Sequence, residues 1–269
     1  MKEQSARRFR AIWISDIHLG TSACQAERLL DFLKHNQSQY LYLVGDVFDG
    51  WRLKRGWFWK QSYNDVIQKM LRRARKGCQI TYIPGNHDSF ARDYDGLQLG
   101  GITIRRQTEH TTVDGRKLLV LHGDEFDGVV TTARWMAHLG AVMYDFTIWL
   151  NRWFNRIRRR FGYPYWSLSQ WLKHQVKNAL MFIDRFEDAV ATSARHHGVD
   201  GIVCGHIHRA AMRDIGGIAY YNTGDWVESC TALVEHVDGS MEIINWPEPG
   251  AHHLVSEEEL DDVEPVLFG

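Results

Sequence analysis

Five short apolar runs in this 269-residue chain each end in a polar block that begins with, or soon contains, glycine or an acid. The runs cover residues 11–14, 40–44, 79–83, 117–121 and 201–203. Their length and their content of leucine, aromatic and β-branched residues are those of buried strands. Helical stretches fall between the early ones. Residues 26–35 put Leu29, Leu30 and Leu33 on one side, and 62–76 do the same with Val66, Ile67, Met70 and Leu71. Strand alternating with helix predicts a central sheet flanked by helices, an α/β architecture.

The polar blocks read Asp16-Ile17-His18, Gly45-Asp46, Gly85-Asn86-His87-Asp88, His122-Gly123-Asp124 and Gly205-His206-Ile207-His208. Strand ends are where α/β sheets commonly carry their sites. Asp16 and His18 are two apart, so an extended chain points both to one side, and the His206/His208 pair repeats that spacing. Asp46 can bridge two ions through its two oxygens. Asn86 adds a neutral amide oxygen that limits the accumulated negative charge, and His122 adds an imidazole. Any one of these residues alone reads as a hydrogen-bonded loop residue, and glycine beside a polar residue is ordinary turn chemistry. Five blocks in register point instead to a metal site. The mixture of Asp, His and Asn suits two divalent ions of borderline character such as Mn, Fe or Zn. Two such ions suit in-line displacement at phosphorus.

The rest of the chain sets limits. A net charge of -1 gives no global reason to expect nucleic acid. The cysteines Cys24, Cys78, Cys204 and Cys230 form no Cys-x-x-Cys pair, and most lie in or beside apolar runs, which predicts reduced, structural thiols. The basic segment 1–10 has no apolar core behind it, and the apolar window 135–150 is broken by His138 and Asp145. The expectation is a cytoplasmic protein or one held peripherally at the inner face of a membrane. Asp114-Gly115 predicts a hairpin between 111–113 and 117–121.

Residues 128–197 lack strand patterning and show helical periodicity, with Trp135, Leu139, Val142, Phe146, Trp149, Trp153 and Ile157 at spacings of three and four, then a second run over 167–195. The expected division is a core of 1–127 and 198–250, a helical insertion at 128–197 and an acidic tail at 251–269. Aromatics in the insertion flank the basic run 156–160, a pattern of interfacial membrane elements or of an acyl-chain pocket. Packing on the core or on a second copy of the chain, as a homodimer, fits the stripe as well. The segment 51–59, rich in tryptophan, reads as a stacking platform, a lid or a packing surface. Residues 222–226 read as support for the ligating histidines. The pairs His196-His197 and His252-His253 read as surface.

Taken in order, Asp-x-His, Gly-Asp-x-x-Asp, Gly-Asn-His-Asp, a distant His and Gly-His-x-His resemble the calcineurin-like metallophosphoesterase superfamily over residues 14–208. The resemblance implies a four-layer αββα sandwich of two packed mixed sheets. It implies that Asp16, His18, Asp46 and His208 hold one metal and that Asp46, Asn86, His122 and His206 hold the other. His87 matches the histidine that contacts the scissile phosphate and can protonate the leaving oxygen, and Asp49 matches the residue that orients it. The segments 15–20, 45–49, 121–124 and 205–209, with the helical insertion before the last, resemble the UDP-2,3-diacylglucosamine diphosphatases. Those are Mn-dependent peripheral membrane enzymes that release UMP and a lipid phosphate, with the insertion capping the acyl chains. The chain departs from that family at His87, where arginine is typical, and so resembles a paralogous branch. Asn86, His87, Asp124 and the insertion residues Lys173 and Lys177, four apart on a helix, are the expected substrate contacts. The alternatives are a phosphodiesterase or nucleotide pyrophosphatase without lipid preference, and a metal-free interaction scaffold.

Overall fold

The structure, a computed structural model, describes residues 6–127 and 168–247, excepting the side chains of 168–181. The expected helical run through Trp135 and Ile157, the basic run 156–160 and the tail 251–269 lie outside the described residues.

Twelve strands are described: β1 (Arg7–Ile14), β2 (Asn36–Val44), β3 (Gln79–Ile83), β4 (Gln98–Leu99), β5 (Ile102–Ile104), β6 (Thr108–Thr111), β7 (Lys117–Val120), β8 (Gly201–Cys204), β9 (Ala211–Ile215), β10 (Ile218–Asn222), β11 (Thr231–Glu235) and β12 (Met241–Asn245). The helices are α1 (Ala26–His35), α2 (Gly50–Arg55), α3 (Gln61–Arg75) and α4 (Leu168–His197). One sheet has the order β12-β11-β1-β2-β3-β5-β4 and the other β6-β7-β8-β10-β9. The central strands β1, β2, β3 and β5 run parallel, as do β7, β8 and β10, and the antiparallel strands lie toward the edges.

Period-two alternation divides each central strand between two cores. In β1, Ala11 and Trp13 face the second sheet while Ile12 and Ile14 face the helices. In β7, Leu118 and Val120 turn inward, and Leu119 and the following Leu121 turn to α4. The inter-sheet core joins Trp13, Tyr42, Val44 and Ile83 to Leu118, Val120, Val203 and Tyr221. Leu29, Phe32 and Leu33 of α1 and Val66 and Met70 of α3 cover the first sheet. Phe186, Val190 and Ala194 of α4 cover the second. These layers make the αββα sandwich. Residues 182–197 lie within the segment expected as an insertion, and they form its fourth layer.

The Asp114-Gly115 hairpin joins β6 to β7 in the register Thr111↔Lys117. Both β1 and β2 begin earlier than their apolar runs, because the parallel pairing Arg7↔Asn36 needs only backbone groups. The edge strand β9, mostly exposed, and the six-residue α2 carry little apolar signal. All four cysteines are free, three of them buried. Among the described residues, no helix is long and apolar enough to cross a membrane.

A polar chain also crosses between the sheets. Tyr42 of the first sheet donates its hydroxyl to or accepts from His110 Nδ1 at 2.9 Å, and His110 Nε2 lies 2.8 Å from Glu235 of the first sheet. Arg10 adds an ion pair to Glu235 at 3.3 Å. Burial pushes His110 below the ordinary imidazole value, with Glu235 opposing.

Candidate metal centre

Every polar block lies just beyond the C-terminal end of a parallel strand: β1, β2 and β3 from one sheet, β7 and β8 from the other. Backbone hydrogen bonds lash the loops together. Asp16 N–H donates to Gly45 O at 3.0 Å, His18 N–H to Asp46 O at 2.9 Å and Gly205 N–H to His122 O at 3.1 Å. Asp16, His18, Asp46, His206 and His208 all have positive φ, between 50° and 72°. Among the described residues, Cys230 is the one other non-glycine residue in that region. Side chains with a Cβ rarely occupy it, so the loops hold the candidate ligands in a conformation that costs about 1–3 kcal/mol each.

The side chains converge in adjoining groups. Asp16, His18 and His208 bring their ligating atoms within 4.8 Å of one another, as do Asp46, His122 and His206. His208 Nε2 lies 3.2 Å from Asp16 Oδ1 and His122 Nε2 3.5 Å from Asp46 Oδ2. Asp46 Oδ2 is also 3.9 Å from His18 Nε2, so this carboxylate lies between the two groups. Asp46 Oδ1 accepts from the backbone N–H of His87 at 2.8 Å. The arrangement needs glycine. A Cβ on Gly45 would lie 2.0 Å from His122 Nδ1, and one on Gly85 would lie 2.2 Å from Asp46 Oδ1.

The rings are aimed by their outer nitrogens. His122 Nδ1 is 2.9 Å from Val44 O, which fixes the proton there and turns Nε2 toward Asp46. Asp49 divides its oxygens between His18 Nδ1 at 3.3 Å and His87 Nδ1 at 3.1 Å. It also accepts from Arg52 N–H at 2.7 Å, capping α2. His206 Nε2 lies 2.7 Å from Asp127. Carboxylates and carbonyls behind imidazoles are how metal ligands are held.

The donor set fits divalent cations. His18 Nε2, His122 Nε2 and both amide atoms of Asn86 are buried without a hydrogen-bond partner among the described residues. Burial alone would raise the Asp16 carboxyl, but the charge and hydrogen bond of His208, with His122 and His18, hold it well below the usual range. Asp46 is lowered likewise, with His122 outweighing burial. Asp49 is held low against burial by hydrogen bonds from His18, His87 and Arg52 N–H. In return, and against burial, Asp46 and Asp16 raise His122 to about 10, and Asp16 raises His208 to about 8. A potential that retains those protons also attracts a cation.

Asn86 and His87 lie at the same strand end, half-buried, with His87 Nε2 4.0 Å from Asp46 Oδ2. Asp124 pairs with Arg92 at 2.6 Å, so an internal partner holds its carboxylate. Lys173 and Lys177 lie on α4, and their side chains are outside the described residues. Residues 222–226 brace the loops: Asn222 Nδ2 donates to Gly205 O at 2.7 Å, and Trp226 N–H to Asp16 O at 3.0 Å.

Asp127 and Asp88 are two site carboxylates beyond the ligands expected from the sequence. Asp88, fully buried, accepts from Gly85 N–H at 2.6 Å and Val47 N–H at 2.7 Å, tying two blocks together. Its place in Gly-Asn-His-Asp was a usable signal. Asp127 follows the His-Gly-Asp block by three residues and carried no signal of its own.

The profile of the calcineurin-like phosphoesterases matches residues 9–210. The UDP-2,3-diacylglucosamine hydrolase of Neisseria meningitidis serogroup B is 27% identical over 241 residues, covering 85% of this chain and 94% of the relative. The enzyme of that name from Nitrosococcus oceani is 28% identical over 232 residues, covering 82% and 89%. Among solved structures, the E. coli phosphoesterase Yfce is 15% identical with a TM-score of 0.42, covering 88% of this chain and 99% of that one. Zinc-complexed Vps29 from Entamoeba histolytica is 13% identical with a TM-score of 0.40, covering 87% and 96%. The family profile spans most of the sandwich and all five polar blocks, and on that ground the chain belongs to the calcineurin-like phosphoesterases, as a metal-dependent hydrolase of phosphoric esters.

Proposed function

We propose that the chain hydrolyses the pyrophosphate of a lipid-linked nucleotide sugar such as UDP-2,3-diacylglucosamine, giving UMP and a lipid phosphate. The observation that carries the substrate class is the likeness to hydrolases of that name, over 85% of this chain and 94% of the relative. Asp16, His18, Asp46 and His208 would hold one divalent ion, and Asp46, Asn86, His122 and His206 a second, with Mn the first candidate. Bound there, divalent ions would supply Lewis acidity toward phosphoryl oxygens and lower the pKa of water.

The protein groups then divide the remaining work. The Asn86 amide faces a phosphoryl oxygen. Asp49 at Nδ1 accepts the Nδ1 proton in a hydrogen bond and stabilises the imidazolium form, and from that form His87 delivers its Nε2 proton to the leaving oxygen. Asp49 takes no part in bond making; it orients His87 and His18. Asp124, Lys173 and Lys177 are further candidate contacts for the sugar phosphate. Part of the insertion expected at 128–197 would cap the acyl chains and meet the inner membrane surface or a second subunit.

The test is hydrolysis of UDP-2,3-diacylglucosamine beside a soluble chromogenic phosphodiester, with added Mn and an Asp46→Ala control. Preference for the lipid substrate, abolished in the control, supports the proposal. Activity on the soluble ester alone would reject the lipid substrate and leave a general phosphodiesterase, a result to which His87 in place of arginine would then be the pointer.

A further inference from the structure

The tryptophan-rich segment 51–59 brings one of its rings to the site. Trp51 stacks on the His87 imidazole, with centroids 4.1 Å apart and planes 30° apart. We infer that Trp51 is a positioning residue that sets the plane of His87, an inference that rests on His87 being the proton donor proposed above.

Three features of the 49–51 segment converge on His87. The Asp49 carboxylate lies at Nδ1, Gly50 N–H donates to the His87 carbonyl at 3.1 Å, and the Trp51 indole covers the ring face. The carboxylate cannot set the ring alone. It shares its two oxygens with His18, and one contact at Nδ1 leaves the imidazole able to swing about that point. His18 packs edge-on at 4.7 Å and 89°, which limits travel on one side. The indole supplies the flat surface that leaves one plane available, with Nε2 toward Asp46.

The platform is itself anchored. Asp49 caps α2, and Leu53, one turn on, packs where a Cβ on Gly20 would come within 2.8 Å. Trp51 is 50% exposed, so it contributes little to the core, and its loss leaves the anchors of α2 in place. An ordinary packing tryptophan would be buried; this one is half in solvent and stacks on the His87 ring.

The experiment compares the p-nitrophenyl and alkyl esters of one nucleoside 5′-phosphate, using Trp51→Ala, Trp51→Phe, His87→Ala and the Trp51→Ala/His87→Ala double variant. A proton donor matters for the alkoxide and hardly for nitrophenolate. Trp51→Ala is expected to lower kcat on the alkyl ester by about tenfold, part of the roughly 10²–10⁴-fold a positioned acid supplies. KM and the nitrophenyl rate stay within about twofold, and Trp51→Phe recovers most of the loss. In the His87→Ala background the second change adds nothing. The His87 ring proton resonances are expected to lose the upfield ring-current shift in Trp51→Ala alone. Multiplying losses in the double variant, a rise confined to KM, or unshifted His87 resonances would overturn the inference while leaving His87 as the donor. Equal losses on both esters in His87→Ala would reject His87 as the donor, and the role of Trp51 with it.

Discussion

Asp49 illustrates how few atoms this site uses for how many tasks. Its two oxygens serve His18, His87 and the cap of α2. Asp49→Asn keeps one accepting oxygen and is expected to lower kcat by roughly 10²-fold, within the range of general-acid effects. Asparagine caps a helix about as well as aspartate, so the stability cost is only that of the lost charge at the helix N-terminus, about 0.3–1 kcal/mol. Steady-state kinetics beside urea unfolding separates the two, and a loss of activity no larger than the loss of folded protein would contradict the orienting role. At this scale the candidate ligands were legible, because Asp, His and Asn at strand ends have few other reasons to recur together. Asp127 and the Trp51 stack were not. A carboxylate three residues past a motif and an indole four residues before a helix ends look alike in thousands of unrelated loops until the fold brings them to His206 and His87.

The loops after β1, β2, β3, β7 and β8 function only if they approach closely, and glycine permits that approach. Gly85→Ala has no backbone objection, since its φ is not positive, but its Cβ would meet Asp46 and His122 at 2.2 and 2.6 Å. The variant is expected to fold, to lose about 1–3 kcal/mol through overpacking, and to bind less divalent metal. Undiminished metal content by elemental analysis would count against a close approach of the loops after β2, β3 and β7. Phe186 tests the fourth layer. It is a fully buried residue of α4 and would lie 2.9 Å from a Cβ on Gly123, beside the His122 block. Phe186→Ala should cost about 3–5 kcal/mol in urea unfolding; a cost below 1 kcal/mol would mean that α4 is not a core layer. The parallel strands and α1 were readable because apolar period coincides with burial. The edge strand β9 and short α2 were not, since exposed backbone pairing and a six-residue turn leave no periodic trace.

The two sheets are joined by more than apolar packing, and the polar joint gives the molecule a pH response. His110, from the second sheet, sits between Tyr42 and Glu235 of the first, and burial lowers its pKa below 6.5. A lowered histidine pKa means that the unfolded chain binds the proton more readily. The contribution is therefore fully present above the unfolded value of about 6.5 and is lost as pH falls from there through the folded value. An NMR titration of the His110 ring is expected to show a midpoint below 6.5; a midpoint above it would reverse the sign. None of this was legible in the sequence, where His110 is one of 14 histidines and Glu235 lies 125 residues away.

If both sheets deliver one set of ligands around Asp46, counting divalent ions per chain in the wild type and in Asp46→Ala will show it. About two are expected in the wild type and fewer than one in the variant, since the lost carboxylate serves both groups. Two ions retained in the variant, or none bound by the wild type at saturating Mn, would contradict it.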